Sequence, residues 1–134
     1  MKKTALLIVI LALTLALAAC GGDTSGVEID YGSSDLYSRE DMDAAIALIK
    51  AEFDGWEGCE LHSIAYAGDE CAVEGNVRWM NDLKDGQGIE GYPFTQCIEF
   101  LSDFHSPVEG GVGFEADQEY TGWQWWLARS EDGD

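Results

Sequence analysis

Two hydrophobic periods follow one another along the chain, and the switches between them mark out the elements. Met42, Ala45, Ile46, Ile49 and Phe53 fall at spacings of 3, 4, 7 and 11 from Met42, which is one stripe of an amphipathic helix. Ser38 with Asp41 makes a capping-box-like pair ahead of the stripe, and Glu40, Asp41 and Asp43 stand where the helix dipole favours negative charge. Lys50 lies near the far end and Gly55 can stop the helix. The spacing predicts a helix over 39–54.

Residues 59–67 carry Leu61, Ile64 and Tyr66 before an Ala67-Gly68-Asp69 turn and read as a strand. Leu61 and Ile64 differ in parity, which implies a bulge or burial on both sides. Val73, Val77, Met80 and Leu83 fit a second short helix with Gly75 inside it, closed by Asp85-Gly86-Gln87-Gly88. A strand follows over 94–104, with Ile98, Phe100 and Phe104 on one face and Cys97 and Leu101 on the other. Pro107 and Gly110-Gly111 make a turn-rich loop. The last strand, 120–129, sets Trp123, Trp125 and Leu127 on one face and Trp126 and Ala128 opposite. With large apolar groups on both faces it should be central or covered. Together these elements predict an α+β domain, a helix packed on a curved antiparallel sheet of three or more strands. A turn at Ser130-Glu131-Asp132-Gly133-Asp134 leads to no further strand, so the sheet is expected to lack its last member and to leave the 120–129 strand with one open edge.

The start of the chain carries an address. Lys2 and Lys3 precede an apolar run from Ala5 to Ala19 broken only by Thr14. A membrane-spanning helix needs about 20 apolar residues, so this shorter run reads as the core of a signal peptide. It ends in Leu17-Ala18-Ala19-Cys20, followed by Gly21 and Gly22. That is the pattern of the bacterial lipobox, in which small residues admit the peptidase and a cysteine thiol receives diacylglycerol, with palmitate-type acyl chains. The expected organisation is a lipoprotein signal peptide over 1–19, a flexible Gly/Ser/Asp-rich linker over 20–37 and one α+β domain over 38–134. The location expected is the cell membrane, lipid-anchored through Cys20 on the extracytoplasmic side.

Charge narrows the partners. The 134 residues hold 26 acidic against 7 basic side chains, a net charge of −19, yet with 46% hydrophobic residues the chain can bury a core. Such acidity argues against nucleic acid and against adhesion to anionic lipid, since both reward Lys and Arg. Cleavage before Cys20 would leave 5 basic against 26 acidic residues, and such a body should stand off from the lipid surface on its tether.

No residue set completes a recognisable chemistry. Cys59, Cys71 and Cys97 are an odd count, open to three single disulfides or to three buried thiols. Cys59 and His62, with Cys71, Cys97 and His105, are zinc-ligand types, but on a strand Cys59 and His62 point to opposite faces. A hydrolase would have only His62 and His105 as imidazole bases, without a local nucleophile signature. Asn81, Asp82, Asp85 and Glu90 suggest a calcium loop, but Leu83 and Tyr92 occupy positions that need oxygen ligands. No metal and no cofactor is assigned. Trp123, Trp125, Trp126 and Tyr120 read first as packed core. If one tryptophan is exposed, Trp126 is expected, and Trp126, Tyr120 and His105 are the candidate ligand contacts.

The chain also resembles small lipoproteins of uncharacterised function from Gram-positive gut anaerobes. The resemblance rests on Gly58-Cys59-Glu60-Leu61, Tyr66-Ala67-Gly68-Asp69-Glu70, Ser102-Asp103-Phe104 with Ser106-Pro107, and Tyr120 through Trp123, Trp125, Leu127 and Arg129. It implies a cystatin-like or NTF2-like sheet-and-helix fold at the cell surface and supplies no reaction. The leading expectation is a non-catalytic binding or structural domain, with a peptide or protein partner at the edge of the 120–129 strand. The alternative is an NTF2-like enzyme with a small-molecule pocket lined by Asp103, His105 or Tyr66. The address is checked by replacing Cys20 with Ser and fractionating the cells. The variant should lose its lipid and leave the membrane fraction, and a Cys20→Ser chain that is still processed and still membrane-bound would rule the assignment out.

Overall fold

The computed structural model describes residues 21–110 and 113–130. The expected signal peptide over 1–19 and the lipidation site Cys20 lie outside them. Along the described chain come β1 (Glu28–Asp30), α1 (Arg39–Phe53), β2 (Glu60–Tyr66), a 3-10 turn (Asp69–Ala72), α2 (Glu74–Gly86), β3 (Gln96–His105) and β4 (Glu119–Arg129). The architecture is α+β, with the four strands in the order β1-β2-β3-β4. β2, β3 and β4 are antiparallel neighbours, but β1 runs parallel to β2 with Ile29 opposite Ile64. The sheet is therefore mixed, not antiparallel throughout.

The parallel strand comes from the segment expected to be a linker. Gly22 N–H donates to the Asp54 carbonyl at 3.0 Å, Asp23 N–H to the Cys59 carbonyl at 2.8 Å, and Leu61 N–H to the Asp23 carbonyl at 2.8 Å. Val27, Ile29 and Tyr31 then pack half-buried on the core, and Tyr37 is buried edge-on to Tyr66. The domain thus begins at Gly22, not at Ser38. Three alternating apolar residues among Gly, Ser and Asp are too few to signal a strand; the edge of β2 supplies the missing stabilisation through hydrogen bonds.

Helix α1 starts where its cap predicts. The Ser38 hydroxyl accepts from Asp41 N–H at 3.1 Å while the Asp41 carboxylate accepts from Ser38 N–H at 3.0 Å, so two otherwise orphaned donors are satisfied reciprocally. Met42, Ala45, Ile46, Ile49 and Phe53 are all buried. They meet Leu61 and Ile64 from β2 and Phe100 and Phe104 from β3, four residues with at most 1% exposure. The parity conflict of Leu61 and Ile64 is resolved by a bulge. The β2–β3 register shifts between Leu61 and Ser63, so that Leu61 lies opposite Phe104 and Ile64 opposite Ser102, on one face.

A second irregularity shapes β4. Its register on β3 shifts between Ser102 and Phe104, and Gly122 there has φ +65°, a left-handed conformation that favours glycine. Its N–H donates to Asp103 Oδ1 at 3.0 Å. The extra residue brings Tyr120 onto the α1 side, where its ring stacks on Phe104 at 5.0 Å. Among the described residues β4 is an edge strand, not a central one, and both its faces are nonetheless covered. Trp56 stacks on Trp125 at 5.1 Å on the α1 side, and Trp79 of α2 meets Trp126 edge-on at 5.3 Å on the other.

Phe53 is fully buried at the junction of α1, β3 and the aromatic group around Trp56. Truncation to Ala should cost about 3–5 kcal/mol. Urea unfolding of Phe53→Ala measures it, and a midpoint equal to that of the parent would show that this stripe is not the core.

Candidate functional site

A cavity opens between the N-terminal half of α1 and the ends of β3 and β4. Its volume is about 500 Å³, and it is lined by Tyr37 just ahead of the helix and by Asp41, Ala44, Ala45 and Leu48 from the helix. From the sheet come Gln96, Cys97, Ile98, Leu127, Ala128 and Arg129. Its size is typical of small-molecule and side-chain sites, and its wall is mainly apolar with a few polar groups. Helix periodicity explains the opening. Asp41, Ala44 and Leu48 form a stripe beside the buried one, which Ala45 borders, facing past β3 towards β4. The two alanines are too short to close the gap, and Leu48 at the rim stays 64% exposed.

One ion pair fixes the polar end. Arg129 donates from Nη1 to Asp41 Oδ1 at 2.8 Å and from Nε to Gln96 Oε1 at 2.7 Å. The hydrogen bond from Arg129, with that from Ser38 N–H, holds the Asp41 carboxyl below the usual carboxylate range. Both side chains remain partly exposed, so the pair is worth little as stability and matters for positioning a charge-bearing wall. The Tyr37 hydroxyl donates to the Cys97 carbonyl, and burial pushes its pKa up to about 12, so it stays a donor at any physiological pH.

The same region contains an unpaired strand edge. Glu99 turns its backbone towards β2, because its carbonyl accepts from Ala67 N–H at 3.0 Å and its N–H donates to Cys71 Sγ at 3.3 Å. By alternation Ile98 and Phe100 face β4, so their register partners Leu127 and Trp125 face back. Gln124, Trp126 and Ala128 therefore direct their N–H and C=O groups outward, and among the described residues no strand pairs with them. Cys71 itself serves as a side-chain acceptor where β2 has ended.

A separate polar cluster sits at the opposite end of the sheet. His62 Nδ1 lies 3.0 Å from Glu119 Oε2 and His105 Nδ1 lies 3.1 Å from Glu119 Oε1, so one carboxylate bridges two imidazoles. His105 Nε2 lies 2.7 Å from Asp117 Oδ1, and His62 Nε2 3.7 Å from Glu60 Oε1. Asp117, and then Glu119, raise the His105 pKa above its ordinary value. Among the described residues no group of three or more His, Cys, Asp or Glu side chains converges to hold a metal ion.

The three candidate ligand contacts are not brought together. Trp126 is on the α2 side beside Glu99, Tyr120 is on the α1 side against Phe104, and His105 is at the far end of β3 in the histidine cluster. The more exposed residue of the β4 tryptophans is Trp123, at 36%, because Trp79 shields Trp126. None of Asp103, His105 and Tyr66 lines the cavity. Asp103 accepts from Gly122 N–H, and the Tyr66 hydroxyl donates to Asp69 Oδ1 at 2.6 Å. Cys59, Cys71 and Cys97 are buried thiols whose pKa values burial pushes up. Asn81, considered for calcium, instead ties α2 to the start of β3 through Phe94 N–H and C=O. The residues that sequence reading passed over are Leu48, whose one signal was a leucine off the buried stripe, and the Asp41–Arg129 pair, which had none.

No family model, no curated protein and no solved structure matches this chain.

The histidine cluster predicts a pH dependence. A His pKa of 6.5 in the unfolded chain that rises on folding contributes stability in full below 6.5 and loses it as pH climbs through the folded value. The urea midpoint should therefore fall as pH rises above the unfolded value of 6.5. His105→Gln should flatten that fall, and an unchanged pH profile in the variant would remove His105 as its source.

Proposed function

We propose that this chain is an exported, lipid-anchored binding protein, whose domain captures an extended, cationic polypeptide segment along β4. The observation that carries the reading is a coincidence of two features. Leu127, Ala128 and Arg129 line the cavity, and they belong to the strand whose outer edge has no partner among the described residues. A peptide added to that edge gains main-chain hydrogen bonds from Gln124, Trp126 and Ala128, and its alternate side chains project to one face. Opposite Leu127 such a side chain enters the cavity. Four residues along, about 13 Å away, the next but one on that face meets the exposed edge of Trp123.

Charge selects the occupant. Four of the five cations of the domain are engaged locally: Arg129 with Asp41, Arg78 with Glu74, Arg39 over the Tyr31 ring, and Lys84 buried on the Gly91 carbonyl. The large acidic excess of the chain is thus left to face solvent, and Glu52 lies one turn beyond Leu48 on the cavity stripe. A basic segment is attracted by this field, while a second copy of the chain is repelled. A lysine of the segment near Trp123 would also gain from the ring face. The groove is apolar apart from one ion pair and Gln96, which suits binding rather than reaction.

The test uses an eight-residue synthetic peptide alternating lysine and valine, with a glutamate–valine peptide as control. Amide exchange in the free protein should be fast at Gln124, Trp126 and Ala128, and slow by about tenfold or more when the lysine peptide binds. Gln124→Pro removes one outward donor where an edge strand tolerates proline, and Ala44→Trp fills the cavity. Each should weaken binding about tenfold with stability changed by less than about 1 kcal/mol. Protection of those three amides in the free monomer, or equal binding of both peptides, would overturn the reading.

A further inference from the structure

The tether of this protein is far shorter than its sequence suggests, and its attachment point is specific. Gly22 is buried against the end of α1, so close that a Cβ there would lie 2.0 Å from the Phe53 carbonyl oxygen and 2.9 Å from Phe53 Cδ1. Its N–H donates to Asp54 O at 3.0 Å, and Asp23 is bonded on both sides of its peptide, to Cys59 and Leu61. Only glycine allows this approach, and the chain is fixed from Gly22 onward. Two peptide units separate Cys20 from Gly22, and they span at most about 7 Å.

We infer that the lipid on Cys20 holds the domain directly against the bilayer in one orientation, with the C-terminal end of α1 and the start of β2 facing the lipid headgroups and the cavity facing away. The inference rests on the lipid-anchor reading above. The end that faces the headgroups contains Asp54, Glu57, Glu60 and the histidine cluster, because Glu60 lies beside Asp23 and opposite His105. The cavity is at the other end of the same elements. Asp41 is thirteen residues up α1 from Asp54, about 20 Å of helix. Gln96 is nine residues along β3 from His105, about 30 Å of strand. A docked domain would thus present its cavity and the C-terminal half of β4 to the outside, where a polypeptide from another source can reach them. The expected stand-off on a flexible tether is replaced by a fixed platform.

The full-length lipidated protein is reconstituted in phosphatidylcholine vesicles, its acyl mass on Cys20 confirmed, and its carboxylates are labelled with carbodiimide and glycine ethyl ester. Compared with the unlipidated Cys20→Ser protein, labelling of Asp54, Glu57 and Glu60 should drop at least severalfold, while Glu40 and Asp43 at the cavity end keep their rates. Inserting ten Gly/Ser residues between Gly21 and Gly22, starting with Gly so that the lipobox context is kept, should restore labelling at all three. Uniform labelling of an acylated, vesicle-bound protein would overturn the orientation and leave the anchor reading standing. Absence of lipid on Cys20 would overturn both.

Discussion

Everything in this domain is arranged around the stripe of α1 laid across β2 and β3. Phe53 and Phe104 meet nearly edge-on with centroids 5.8 Å apart, and neither ring has measurable exposure. Ile46, Ile49, Leu61, Ile64 and Phe100 fill the space beside them. Fully burying such side chains contributes about 1.5–3 kcal/mol each, which a small, strongly acidic chain needs to offset the mutual repulsion of its carboxylates. From Phe104 the core passes into an aromatic group of Trp56, Phe114, Tyr120, Trp123 and Trp125. That group seals one face of β4, an edge strand that would otherwise have little to hold it.

The two bulges are what make this packing compatible with the strands. A strand of strict alternation would send either Leu61 or Ile64 to solvent, and either Tyr120 or Trp123. Each bulge inserts one residue and returns the second apolar side chain to the α1 face. The second is set by Gly122, whose left-handed φ and hydrogen bond to Asp103 are local, but its effect is to assemble the aromatic group.

The proposed function follows from what the core leaves unfilled. The α1 stripe covers β2 and β3 and stops short of β4, so a cavity remains where Ala44 and Ala45 are too small to reach Leu127. The sheet ends at β4 among the described residues, so an edge remains beside that cavity. The N-terminal segment closes the other end of the same core, tying the chain start to Asp54 and Cys59. The proposed binding surface and the proposed attachment point are thus separated by the length of α1 and β3.

The sequence by itself determined the elements whose forces are local: α1 with its capping box, the parity conflict that required a bulge in β2, and β3 with its alternating faces. Those depend on neighbours within a few positions, where hydrophobic period and side-chain caps are decisive. The proposed address at Cys20 is also read from sequence, since small residues and a thiol at fixed spacing are the pattern that covalent lipid attachment needs. Tertiary structure alone decided that residues 22–37 pack on the domain and that Glu28–Asp30 joins the sheet, because β1 is held by the edge of β2 and not by its own propensity. The two-faced apolar pattern of β4 called for cover, but tertiary structure alone supplied it, since Trp79 arrives from α2 and Trp56 from the turn after α1. And it alone built the cavity: Asp41 and Arg129 stand 88 positions apart in the chain, and only the packing of a helix across a sheet brings such residues within hydrogen-bond reach.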